Sequence, residues 1–413
     1  MKSKILLSAI GAAVMFVVPQ IVQAQTPEET AKQILEEHPI IDGHNDVPAQ
    51  IRGRFDSDFS KFDFRDTLET LGPAPKPMHT DIARLKKGGV GGQFWSVWID
   101  PELPRAEAVE RVIQQIDTVH QMVDQYSDLQ IALTADDVEQ ANEAGRVASL
   151  IGMEGGHSIG NSLGVLRQTY ALGARYMTLT HWKTLDWADA ATDAPKSDGL
   201  SEFGIKVVEE MNRLGMLIDI SHVSPATMHD ALDASKAPVI FSHSSAMGVT
   251  DHPRNAPDSV LKRLKDNGGV IMITFVPSYL KAERRDWEAA EKAEIERAKA
   301  LYPGEKERRD AHLKNWKDAN PMPAVTASDV ADHIDHVRTV AGINHIGIGG
   351  DYDGIRFLPE DMQDVSTYPI LFAELVRRGY NKDDLVKISR GNILRVMREA
   401  ERVAHHHKID VKF

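Results

Sequence analysis

The strongest constraint on the fold is a pattern that recurs eight times along the chain: a short apolar run rich in β-branched residues, a polar or glycine-rich loop, then a longer stretch with helical spacing. The runs lie at 39–42, 92–99, 147–153, 175–180, 216–220, 238–241, 269–276 and 345–348, and the helical stretches between them include 106–126, 203–214, 225–234 and 329–341. Strands joined by helices pair in parallel, because a parallel pair needs a long crossover. Eight such units predict an α/β fold, a closed (β/α)8 TIM barrel, in preference to an open doubly wound sheet. From 281 to 322 the pattern breaks: the chain is dense in Lys, Arg, Glu and Ala around Trp287, Tyr302 and Trp316. This reads as a charged helical insertion after the seventh strand, with a solvated surface; its position also suits a lid.

The first residues belong to targeting. Lys2 and Lys4 precede an apolar run from Ile5 to Val18, and Val22-Gln23-Ala24 presents a cleavage site. Pro19 and Gln20 cut the run short of the roughly 20 residues a membrane anchor needs. Residues 1–24 are therefore expected to be a signal peptide and 25–413 a single catalytic domain, exported to the periplasm or secreted, with no stable membrane anchor in the mature form. With 61 acidic against 48 basic residues the net charge is −13, which argues against nucleic acid as a partner. The absence of Cys excludes disulfides, thiolate metal sites and cysteine nucleophiles. A homodimer is left open.

In a parallel barrel the reacting side chains stand where strands end, so the residues that follow each run carry the chemistry. After the first run come His44 and Asp46, two residues apart and on one face if the backbone stays extended, where they can hold one metal ion. After the third comes Glu154, opening a glycine-rich loop in which an unpartnered carboxylate would be costly to bury. His157, two glycines further on, suits a loop role better than direct ligation. His181, His222 and His243 follow the fourth, fifth and sixth runs; any one could be an ordinary core histidine, but together they point to a metal centre. Asp351 emerges from Gly349-Gly350 after the eighth. Two ligand clusters with a carboxylate between them are a plan for hydrolysis, and no P-loop, dinucleotide turn or nucleophile elbow competes with it.

The strings IIDGHND, GMEGGHSIGNSLGVLR, RYMTLTHW, NRLGMLIDISHVS, APVIFSHSSA, DHPRN and IGIGGDYDG, in order from about His38 to Arg395, closely resemble the membrane (renal) dipeptidase family of the amidohydrolase-like barrels. The resemblance implies a metal-dependent hydrolase barrel with two zinc ions per chain that cleaves dipeptides, including those with a C-terminal D-residue, through a metal-bridging hydroxide. It assigns His44 and Asp46 to one zinc, Glu154 to the bridge, and His222 and His243 to the other zinc. It makes His181 the contact to the substrate and its tetrahedral intermediate, Asp351 the proton carrier, Arg254 the receiver of the substrate carboxylate and Tyr279 its neighbour. The alternatives are a binuclear amidohydrolase of N-acyl amino acids or lactams, and a catalytically silent metal- or peptide-binding barrel.

Overall fold

The structure, a computed structural model, describes residues 25–71 and 78–410. The expected signal peptide lies outside the described residues. Nine strands form one sheet: β1 (Ile40–Asn45), β2 (Val90–Ser96), β3 (Leu129–Ile131), β4 (Val147–Glu154), β5 (Ala174–Thr178), β6 (Leu217–Asp219), β7 (Ile240–Ser244), β8 (Val270–Ile273) and β9 (Ile346–Ile348). Every pairing is parallel, and a β2–β4 contact from Gly92↔Ala148 to Ser96↔Gly152 closes eight of them into a ring. The expected barrel is therefore present.

The ninth strand, β3, has no counterpart among the eight apolar runs. It pairs with Val147–Ser149 of β4, whereas β5 takes the later part of β4 from Ile151 to Glu154. At three residues, Leu-Gln-Ile, it is too short to show as an apolar run, and only the edge left by the late start of β5 gives it a partner. It also makes the seventh strand of the ring β8, after which the insertion begins.

Neighbouring residues on the strands fall into different apolar clusters. Ile41, Phe94, Leu150, Tyr176, Ile240 and Met272 belong to one, and Ile40, Trp95, Ile151, Met177, Phe241 and Ile271 to the other. This alternation is the two-sided burial expected of strands with packed side chains on one face and helices on the other. Backbones approach closely inside the ring: a Cβ on Gly43 or Gly349 would sit 2.4 or 1.9 Å from the Ser242 carbonyl oxygen. Several helices start where hydroxyl side chains cap them, as Ser201 does for Glu202–Leu214 and Ser224 for Pro225–Ala234.

The insertion forms two helices, Ala282–Leu301 and Lys306–Ala319, the second with no buried residue. The Arg284 guanidinium lies 5.4 Å from the centre of the Trp287 ring and 4.4 Å from that of Phe357, and Glu291 pairs with Lys317 and Arg356. Arg285 donates to the Asp251 carbonyl. The insertion thus braces two loops that flank the mouth of the barrel, and none of its residues lines the cavity there. Among the described residues no helix is long and apolar enough to cross a membrane.

Candidate active site

The nine side chains to which the resemblance gives a role converge at the C-terminal mouth of the barrel. Glu154, the last residue of β4, is buried at the centre. Its Oε2 lies 3.5 Å from His44 Nε2, and its Oε1 lies 3.1, 3.3 and 3.4 Å from the Nε2 atoms of His222, His181 and His243. His44 Nε2 is 3.3 Å from Asp46 Oδ2. The extended backbone does not persist through Asp46, whose φ of −96° and ψ of 21° start the helix Val47–Phe55; the pair meets through this turn and not through strand alternation. Asp351 joins His44 and Asp46 in one potential metal-binding group.

The protein spends conformational strain here. His222, Asp351 and Asp353 have φ of 66°, 60° and 67°, a region that side chains other than glycine seldom occupy and that gathers at functional sites. Gly354 lets the loop close over the carboxylates, since a Cβ there would fall 2.1 Å from Asp46 Oδ2 and 2.5 Å from Asp351 Oδ1.

A buried layer beneath orients the rings. Thr178 and Ser242 hydroxyls donate to Asp219 Oδ2 at 2.5 and 2.6 Å. With its proton committed, the Ser242 oxygen accepts from His243 Nδ1 at 2.8 Å, which leaves His243 Nε2 as a lone pair facing the centre. His44 Nδ1 is 2.9 Å from the Tyr176 hydroxyl, and His44 Nε2 has no hydrogen-bond partner although buried. Such a set of imidazole nitrogens and carboxylate oxygens, with Oε1 and Oε2 of Glu154 facing different ligands, suits two divalent cations of borderline softness.

Electrostatics agree. Burial, reinforced by nearby cationic groups, drives His222 and His243 well below the usual histidine range, so both are neutral donors of lone pairs. Burial would raise Glu154, yet His44, His181 and His222 hold it well below the usual carboxylate range. Asp351 goes the other way: burial, with Asp46 and Glu154 adding to it against His44 and Arg254, puts it well above that range.

A cavity of about 470 Å³ opens over the centre. Arg254 is buried in its wall, with Nη1 3.4 Å from Ser244 Oγ and Nη2 3.2 Å from the His243 carbonyl, while its Nε lacks a partner. Tyr279 lies beneath the guanidinium at 5.5 Å and stacks on His252 at 4.3 Å. The cavity is also lined by residues that no sequence motif marks as functional, among them Gln50, Trp98, Thr192 and Ile355, and by Trp182, the last residue of RYMTLTHW. Trp98 sits inside an apolar run and reads as core. Asp353 and His252 lie within quoted motifs, but neither position by itself marks a wall.

A family model described as membrane dipeptidase, peptidase family M19, matches residues 28–410. Dipeptidase verJ of Clonostachys rogersoniana is 40% identical over 386 residues, covering 91% of this chain and 87% of that protein. Dipeptidase 3 of Rattus norvegicus is 40% identical over 380 residues, covering 91% and 68%. The fold is similar to that of the probable dipeptidase PvdM from Pseudomonas aeruginosa, with a TM-score of 0.78 at 24% identity over 92% of this chain and 99% of that one. It is also similar to a metallo peptidase from Rhodobacter sphaeroides liganded with a phosphinate mimic of the dipeptide L-Ala-D-Ala, with a TM-score of 0.70 at 22% identity over 88% and 99%.

Proposed function

The chain belongs to the membrane dipeptidase family, peptidase family M19, and is a metallo-dipeptidase; from that premise we propose that it is an exported enzyme that uses two zinc ions to hydrolyse dipeptides, those with a C-terminal D-residue included. The observation that carries the two-ion reading is the division of labour on Glu154, with His44 on one carboxylate oxygen and His222 and His243 on the other. His44 and Asp46 would hold one ion and His222 and His243 the second, with Glu154 placed to serve both. Ions held there supply a Lewis acid for the scissile carbonyl and a water acidic enough to react at neutral pH.

The chain's own residues do the rest. Arg254, fixed by Ser244 and the His243 carbonyl, receives the substrate's C-terminal carboxylate, with Tyr279 packed beneath it. With that carboxylate clamped and the carbonyl over Glu154, one residue fits on the C-terminal side of the scissile bond, and acidic groups near Asp351 that receive the ammonium close the amine side, which together limit the substrate to a dipeptide. His181 contacts the carbonyl oxygen as its charge grows. Asp351, which burial makes an unusually basic carboxylate, takes a proton from the attacking water in its ionised form and, then protonated, delivers it to the departing amine.

A screen of dipeptides carrying L- and D-residues, run with metal analysis of the same sample, tests the reading. We expect hydrolysis of free dipeptides, D-residues accepted at the C-terminal side, near two zinc ions per chain, and loss of activity when the α-amine is acylated. Equal hydrolysis of N-acylated substrates would favour an amidohydrolase of N-acyl amino acids, and no hydrolysis at all a silent binding barrel.

A further inference from the structure

Four imidazoles crowd the centre, and their outer nitrogens are not equivalent. His181 Nδ1 lies 3.2 Å from the indole Nε1 of Trp98, which is half-buried just past β2, with the two rings 5.9 Å apart and edge-on at 63°. An indole N–H can only donate, so His181 Nδ1 must accept, and the proton of the neutral ring resides on Nε2. That Nε2 is the atom 3.3 Å from Glu154 Oε1. His243 is set the opposite way, since the Ser242 oxygen takes its Nδ1 proton and its Nε2 faces the centre as a lone pair. Distance alone groups His181 with Glu154 and His222 as a potential metal-binding set. The hydrogen-bond network separates them: His243 is built to ligate and His181 to donate.

From this we infer that Trp98 is a positioning residue, which fixes His181 in the Nε2–H tautomer and aims that N–H at the carbonyl oxygen of the bound peptide. The inference rests on the dipeptidase reading and adds to it the group that makes His181 a donor. Trp98 is itself held in place. The Nε2–H of His157 donates to the carbonyl of the next residue, Ile99, at 3.2 Å, and Trp182 packs against both the Trp98 ring at 5.7 Å and the His181 ring at 4.3 Å. His157 lines no part of the cavity, and through this bond it pins the strand end that carries the indole.

Trp98→Phe removes the N–H and keeps an aromatic ring, so it separates the hydrogen bond from the packing. Two readouts are needed on the full-length mature enzyme loaded with zinc. In histidine labelled with 15N, the His181 resonances, assigned by their loss in His181→Gln, should show Nε2 protonated and Nδ1 bare in the natural protein, and a mixture of tautomers in Trp98→Phe. On a dipeptide, kcat should fall roughly tenfold to a hundredfold while KM stays within about twofold, the signature of an interaction made mainly in the transition state. Trp287→Phe in the insertion, which removes an indole that lines no part of the cavity and bonds the Asn320 carbonyl, should leave the His181 tautomer and kcat near their natural values. A proton on Nδ1 in the natural enzyme would overturn the inference, as would a Trp98→Phe enzyme with unchanged tautomer, whatever its rate. A natural enzyme that cleaves no dipeptide yet shows the expected tautomers would sink the substrate reading and leave the assignment of Trp98 to His181 standing.

Discussion

Glu154 is the residue on which both halves of the centre depend, because its two oxygens face different ligands. Glu154→Gln replaces one oxygen by an amide nitrogen that cannot ligate, so bound zinc and turnover should fall together; a variant with two zinc ions and normal rates would reject the bridge. Asp351→Asn, in contrast, should cost turnover more than metal, measured as kcat beside metal content. Arg254 is tested by its geometry. Arg254→Lys keeps the charge but loses the fork, and kcat/KM for free dipeptides should drop by the ~1.5–3 kcal/mol of a charge-assisted hydrogen bond, whereas C-terminally amidated dipeptides should be poor substrates of both forms. Equal rates on free and amidated substrates would remove Arg254 from that role. Glu154 and Asp351 were legible in the sequence because each is a polar residue at the end of an apolar run, whereas Arg254, in the polar loop 251–255, was marked by the family resemblance. The layer below them was not legible. Asp219 and Tyr176 lie inside the runs and Ser242 directly after one, and what they bond is decided by strands far away in sequence.

Helices and strands show where periodicity suffices. The helix expected at 225–234 is found at Pro225–Ala234, with Ser224 at its cap and Pro225 in its first turn, signals that are entirely local. β3 escaped because its reason to exist is an edge on β4, which is a property of the assembled sheet. The helix Ala327–Val340, which follows the insertion, carries a prediction of its own. His333 is fully buried on it, its Nδ1 accepting from the Ala246 N–H at 3.0 Å and its Nε2 lying 3.1 Å from the Leu280 carbonyl. Both bonds suit the neutral ring, and burial pushes its pKa down to about 4, against a usual value near 6.5. The unfolded chain binds this proton at higher pH than the native one, so stability from this group is complete above about pH 6.5 and is lost as the pH falls toward about 4, by up to ~3 kcal/mol. Denaturant titrations across that window should give a shallower acid slope for His333→Gln than for the natural protein. An identical slope would mean that His333 does not titrate as described.

For the molecule as a whole, the described fold begins almost where the expected signal peptide ends. Thr26 caps the helix Pro27–Glu37, taking the Glu29 N–H on its hydroxyl while Glu29 Oε2 accepts from the Thr26 N–H at 2.9 Å. If export and cleavage after Ala24 are right, N-terminal sequencing of the mature enzyme reads Gln25 first; a functional form retaining Met1 would contradict it. The ring itself has a narrow seam. Where β1 meets β9 the register holds one pair, Asp42↔Ile348, and the Asp42 carboxylate spans the join, bonded by Gln93 Nε2 from one side and by the Gly350 N–H and the Tyr368 hydroxyl from the other. His44 and Asp46 lie on one bank of that seam and Asp351 on the other, some 300 positions later in the chain. The candidate ligands His44 on β1 and His243 on β7 stand some 200 positions apart, so no short stretch of nascent polypeptide holds the set, and these side chains meet only once the strands between them have assembled. If that assembly follows export, an ion bound there would be drawn from the compartment in which the ring closes, not from the one in which the chain was synthesised.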